Sequence, residues 1–141
     1  MGEKWTGGDD MANSPGGGFK VNLLKEDLEE YKDRDDLIIM FTDSYDVVIL
    51  AEANEIIEAF EKFDANVVFG AEAFCWPDQS LRDQYPMLET EGKRFLNSGG
   101  FIGYAKDIYA IVSHRQIKDD DDDQLYYTQI YLDEEMRKNH R

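Results

Sequence analysis

Five short clusters in this sequence carry residue types that do chemistry. Asp43-Ser44-Tyr45-Asp46 puts two carboxylates three positions apart, directly after an apolar run at 37–41. On a tight turn at a strand end both can face one cation, and hard oxygen donors suit Mg²⁺ or Mn²⁺. Such an ion can bridge a diphosphate and neutralise a departing nucleotide. The same carboxylates can instead cap the turn by accepting hydrogen bonds from its N–H groups. Tyr45 between them can stack on a ligand ring or pack beside the sheet.

The second cluster, Gly16-Gly17-Gly18-Phe19-Lys20, opens a helix. N–H groups at a helix start favour an anion, and Lys20 adds positive charge. The spacing is not that of a Walker A loop, and a flexible loop with a solvated lysine is the competing reading. In Asn97-Ser98-Gly99-Gly100, glycines inside a strand mark close approach of a ligand or another backbone, and Asn97 and Ser98 can bond hydroxyl-rich groups. In the acidic run 119–123, mutual repulsion makes a solvated loop the default. Its last members, Asp122 and Asp123, can cap a helix or face a cleft. Phe74-Cys75-Trp76-Pro77 can form an aromatic wall for a sugar or base, or simply pack in the core.

These clusters act together only if the fold gathers them. Val21, Leu24, Leu28 and Tyr31 predict a helix over 19–33. The apolar runs 37–41 and 67–69 predict strands covered on both faces. Between them, Asn54 can cap a helix with Ile56, Ile57, Phe60 and Phe63 inward. A short helix is expected at 79–84, a glycine-punctuated strand at 95–104, and helices around 108–112 and 122–131. A charged tail follows. Strands alternating with helices indicate an α/β fold with a mostly parallel sheet flanked by helices. Such folds bind ligands beyond the carboxyl ends of their strands, and most of the clusters follow strands.

Composition narrows the chemistry. The 141 residues suit one domain. With 31 acidic and 15 basic residues the net charge is −16, and both halves are acidic. That argues against nucleic acid or an anionic membrane as partner, which need Lys and Arg to neutralise phosphates. One cysteine, Cys75, excludes an internal disulfide and a multi-cysteine zinc module, and is expected to be a small buried hydrophobe. No run approaches the roughly 18 apolar residues of a membrane span, and the first residues lack an apolar signal-peptide core. His114 and His140, the two histidines, form no H-x-D or H-x-E pair; His114 is expected in solvent at a helix end.

In order along the chain, Trp5-Thr6-Gly7-Gly8-Asp9, Gly16 to Lys20, Phe41-Thr42-Asp43-Ser44-Tyr45-Asp46-Val47, Phe74-Cys75-Trp76-Pro77, Lys93 to Tyr104 and Asp119 to Leu125 resemble the glycosyltransferase region of collagen lysyl hydroxylases. The resemblance implies a GT-A-like domain using a UDP-sugar and Mn²⁺. It implies Asp43 and Asp46 as metal ligands, Tyr45 as a uracil-stacking residue and Lys20 as a diphosphate contact. Asn97, Ser98 and Gly99 would line the donor-sugar pocket. Trp76, Asp122 and Asp123 match positions implicated in glucosyl transfer to galactosyl-hydroxylysine of collagen. Glucosyl transfer from UDP-glucose with retention is the preferred reaction, with galactosyl transfer from UDP-galactose the alternative.

The resemblance further implies the endoplasmic reticulum lumen, and places iron and 2-oxoglutarate in a hydroxylase domain this sequence lacks. The family domain opens with a strand before Trp5 and takes a third metal ligand from a later histidine. Residues 1–141 are therefore expected to form a partial domain without its first strand. The competing expectation is an inactive accessory or scaffold domain that binds nucleotide or partners without turnover. A weaker third is an acidic divalent-cation binder.

Overall fold

The computed structural model describes residues 16–89 and 91–139. Trp5, the glycines at 7–8 and His140 lie outside the described residues. Helix α1 (Gly18–Leu28) runs into a short 3-10 turn at Glu29–Tyr31 and precedes β1 (Ile38–Thr42). Next come α2 (Ala53–Glu61), β2 (Val67–Glu72), a 3-10 segment at Gln79–Gln84 and the long β3 (Phe95–Tyr104). Helices α3 (Ala105–Val112), α4 (Asp123–Leu132) and α5 (Glu134–Asn139) complete the order. Asn54 is not the cap of α2. Glu52 is, and the Glu55 carboxylate accepts its N–H at 3.0 Å, half of the reciprocal arrangement that closes a helix start.

The expected mostly parallel sheet is not what the described residues form. Three strands lie in the order β1-β3-β2, and both pairings are antiparallel. β1 and β2 do run in the same direction, joined through α2. β3 enters later in sequence and fills the gap between them. Alternation along the chain gives the direction of β1 and β2, but not which strand lies between them. The burial expectation shifts with it: β1 and β2 are only partly buried, Met40 being 40% exposed, and the most buried strand is the central β3.

The reversal has a consequence for position. Because β3 runs against its neighbours, its first half lies at the carboxyl ends of β1 and β2: Thr42 pairs with Gly100, and Glu72 with Phe95. The β2 register breaks there. Phe69 faces Phe101 but the next residue, Gly70, faces Asn97. Ser98, Gly99 and Gly100 therefore bulge out of the β2 ladder, and a bulge of this kind re-aims backbone and side chains. Beyond the bulge, Phe101 stacks on Phe41 at 4.9 Å between ring centroids and meets Phe69 at 4.7 Å and Tyr127 at 5.5 Å. This aromatic group joins Val21, Ile108, Val112 and Tyr126 in the core that seats α1, α3 and α4 against the sheet. No helix among the described residues is long and apolar enough to cross a membrane.

Candidate functional site at the strand ends

Three elements meet where β1 ends. Lys20 Nζ, in the first turn of α1, lies 3.1 Å from Asp43 Oδ1 just beyond β1 and 2.8 Å from Asp123 Oδ2 at the start of α4. Lys20 is thus a cross-linking cation and not a solvated lysine. Its burial, the largest single influence, lowers its pKa. The charges and hydrogen bonds of Asp123, then Asp43, outweigh that and leave it above the ordinary lysine value. The ammonium is therefore firmly charged at neutral pH.

The approach of these elements depends on two glycines. Gly17 adopts φ 107°, and a Cβ there would stand 2.2 Å from Asp123 Oδ1. A side chain would be both strained and in collision. At Gly99 a Cβ would stand 3.0 Å from Asp43 Oδ2 and from Asn97 Oδ1, while the Gly99 carbonyl accepts the Asp43 N–H at 2.8 Å. Asp43 is therefore held by the bulged strand as well as by Lys20.

The anion reading of the α1 start needs correction. The N–H groups of Gly18 and Phe19 donate to the carbonyls of Asp121 and Asp119, at 2.9 and 3.2 Å. The acidic loop thus satisfies the helix end with its own backbone, and Lys20 alone is left to meet an anion. Within that loop the side chains divide. Asp119 accepts from Asn22, Asp121 from the Lys118 N–H, and Asp122 caps α4 by accepting the Leu125 N–H at 2.6 Å. Burial pushes the Asp122 carboxyl above the usual carboxylate range, against the Leu125 N–H and the Trp76 indole, which hold it down. Asp123 is 8% exposed and turned inward to Lys20.

Asn97 and Ser98 are also drawn in. Asn97 accepts the Gly99 N–H at 2.9 Å and donates to Glu72 at 3.3 Å. Ser98 donates through its N–H to Gln124 Oε1 at 3.1 Å. Trp76, at 37% exposed, is not a core residue; its carbonyl accepts from Gln124 at 3.3 Å, and the Trp76–Pro77 bond is cis. Tyr45 is 98% exposed and neither packs beside the sheet nor touches the cluster, and Asp46 is likewise exposed. Cys75 is buried, and burial pushes its thiol up. His114 is exposed just after α3.

Sequence reasoning missed Gln124 and Glu72. Gln124 stands directly after the acidic run and Glu72 lies beyond the apolar stretch 67–69; neither carries a local pattern. An apolar hollow of about 480 Å³, lined by Val67, Phe69, Tyr127, Ile130 and Met136 among others, contains none of the predicted residues.

Among the described residues no group of three or more His, Cys, Asp or Glu is placed to hold a metal. A protein-only cage is therefore not built here. The donor set suits a different arrangement: Mg²⁺-like ions are commonly held by one or two carboxylates plus substrate phosphates. Asp43 presents Oδ2 beside the side-chain-free Gly99, and Asp46 lies on the same turn. The residues fit an ion shared with a diphosphate.

Comparison with known proteins bears on the same residues. The family model described as the PLOD GT domain matches residues 1–141. The human multifunctional procollagen lysine hydroxylase and glycosyltransferase LH3 is 52% identical over 138 residues, covering 98% of this chain and 18% of that protein. The Drosophila melanogaster procollagen-lysine,2-oxoglutarate 5-dioxygenase is 51% identical, covering 97% of this chain and 19% of that protein. The Caenorhabditis elegans multifunctional procollagen lysine hydroxylase and glycosyltransferase is 51% identical over 140 residues, with 98% and 19% covered. The chain thus spans about a fifth of the length of these relatives.

Proposed function

Because the chain belongs to the PLOD GT domain family, we propose that it is the donor-binding part of a GT-A-like glycosyltransferase domain acting on collagen hydroxylysine, within a procollagen lysyl hydroxylase. The observation that carries the reading is the Asp43–Lys20–Asp123 cluster at the carboxyl ends of β1 and β2. It offers carboxylate oxygens for a divalent ion and a firmly charged ammonium for a phosphate, side by side. A UDP-sugar needs both. Lys20 would exchange an aspartate for the diphosphate. Asp43 and Asp46 would hold Mn²⁺, which supplies charge neutralisation for the departing UDP. Tyr45, free in solvent, would cover the uracil. Asn97, Ser98 and Gly99 would face the sugar.

Transfer forms a bond between the acceptor oxygen and the anomeric carbon, breaks the anomeric carbon–phosphate oxygen bond, sends that electron pair out with UDP, and passes the acceptor hydroxyl's proton to the departing diphosphate oxygen. The Trp76 indole and the Asp122 carboxyl are in contact, and in this reading they would meet the acceptor. Trp76 offers an apolar face to the galactosyl ring, and the raised Asp122 carboxyl suits a hydrogen bond from the acceptor hydroxyl. Asp123 orients Lys20. Collagen substrates place the enzyme in the endoplasmic reticulum lumen, and iron and 2-oxoglutarate belong to hydroxylase chemistry outside these residues.

The test is transfer by the naturally expressed protein from UDP-glucose or UDP-galactose to a galactosyl-hydroxylysine peptide. The expected product is the glucosylated disaccharide, formed only with Mn²⁺ present. Binding of UDP without any sugar transfer would favour the accessory-domain reading instead. Ion binding that UDP does not enhance would leave only a divalent-cation binder.

A further inference from the structure

We propose that Gln124, bridged to Glu72, is a positioning residue that holds the Trp76 segment in register with the bulged donor strand; its consequence for transfer rests on the glycosyltransferase reading above. Gln124 is 6% exposed and uses both ends of its amide. Its Oε1 accepts from the Ser98 N–H at 3.1 Å and from the Ser98 hydroxyl at 3.4 Å. Its Nε2 donates to Glu72 Oε1 at 2.6 Å and to the Trp76 carbonyl at 3.3 Å. One side chain thus ties α4 to β3, to the end of β2 and to the loop bearing Trp76. Glu72 Oε1 also accepts from Asn97 at 3.3 Å, which closes the circuit.

Among the hydrogen bonds of the described residues, Gln124 is what links Ser98 to the Trp76 carbonyl, while the Trp76 indole is held separately by Asp122. The bridge touches neither Lys20 nor Asp43. Losing it should therefore misplace the acceptor side while sparing nucleotide binding.

The experiment compares Gln124→Glu with the exchange Glu72→Gln/Gln124→Glu, in the naturally expressed protein. The single variant sets two carboxylates against each other; the exchange restores one amide and one carboxylate in the same volume. In Gln124→Glu, kcat for transfer should fall about 10- to 100-fold, the scale of an ångström-sized misplacement, with UDP affinity unchanged. Acrylamide quenching of the part of the tryptophan fluorescence that Trp76→Phe removes, which needs no substrate, should increase as Trp76 loosens. The exchange should reverse both effects. Wild-type kcat and quenching in Gln124→Glu, UDP affinity falling in parallel with kcat, or failure of the exchange to restore either readout would overturn the proposal. If the wild type bound no UDP, the functional reading would fail, and the quenching comparison would still decide whether Gln124 positions Trp76.

Discussion

Asp43→Asn is expected to abolish Mn²⁺-dependent UDP binding, whereas Asp120→Asn leaves it intact. Loss of a metal-holding carboxylate should exceed the roughly 10- to 100-fold cost of losing an outer-shell partner, so titration calorimetry should show no saturable, Mn²⁺-dependent binding by the variant. The fold should survive. Asp43 is about one-third exposed, and Lys20 keeps Asp123 at 2.8 Å, so the pair lost is worth only about 1 kcal/mol or less. Asp120 is exposed in the same acidic chain and removes the same unit of charge. Equal weakening by both variants would mean that general charge, and not a site, draws the ion.

Phe101→Ala should produce the largest loss of stability. Phe101 is 4% exposed and touches Phe41, Phe69 and Tyr127, so it joins both neighbouring strands to α4. Truncating a buried Phe costs about 3–5 kcal/mol, and each 1.4 kcal/mol is about tenfold in an equilibrium constant. Urea unfolding should show a large drop in midpoint with an unchanged slope. Phe74→Ala is the contrast, because Phe74 is 56% exposed; surface changes of that kind stay within about 0.5 kcal/mol. Comparable effects from the two would mean that the aromatic cluster is not the core. The link to the site is direct, since Phe101 anchors the strand whose preceding bulge presents Asn97, Ser98 and Gly99.

Much of this was legible from local patterns. The strand at 95–104, the short helical turn at 79–84 and the capping of α4 by Asp122 each follow from residues adjacent in sequence. Sheet direction was not, because an apolar run states how deeply a strand is buried but not which neighbour it pairs with. Half-buried β1 shows that even burial was overread. At the site, carboxylates after a strand and a lysine at a helix start could be picked out singly. Their meeting could not: Lys20 and Asp123 are 103 positions apart, and the acidic loop's backbone bonds to the α1 start and the close approach at Gly17 bring them together. Gln124 and Glu72 stayed hidden because their importance lies in whom they bond, and neither residue type nor spacing advertises it.

The central claim is that the end of β1 holds a divalent ion jointly with a diphosphate. The most direct measurement is the anomalous scattering of Mn²⁺ in crystals grown with UDP. A single strong peak is expected about 2.1 Å from an Asp43 carboxylate oxygen, the distance usual for small octahedral cations, with the UDP phosphates on its other side and Lys20 turned toward them. A manganese peak elsewhere, or UDP bound with Asp43 still paired to Lys20 and no ion beside it, would contradict it.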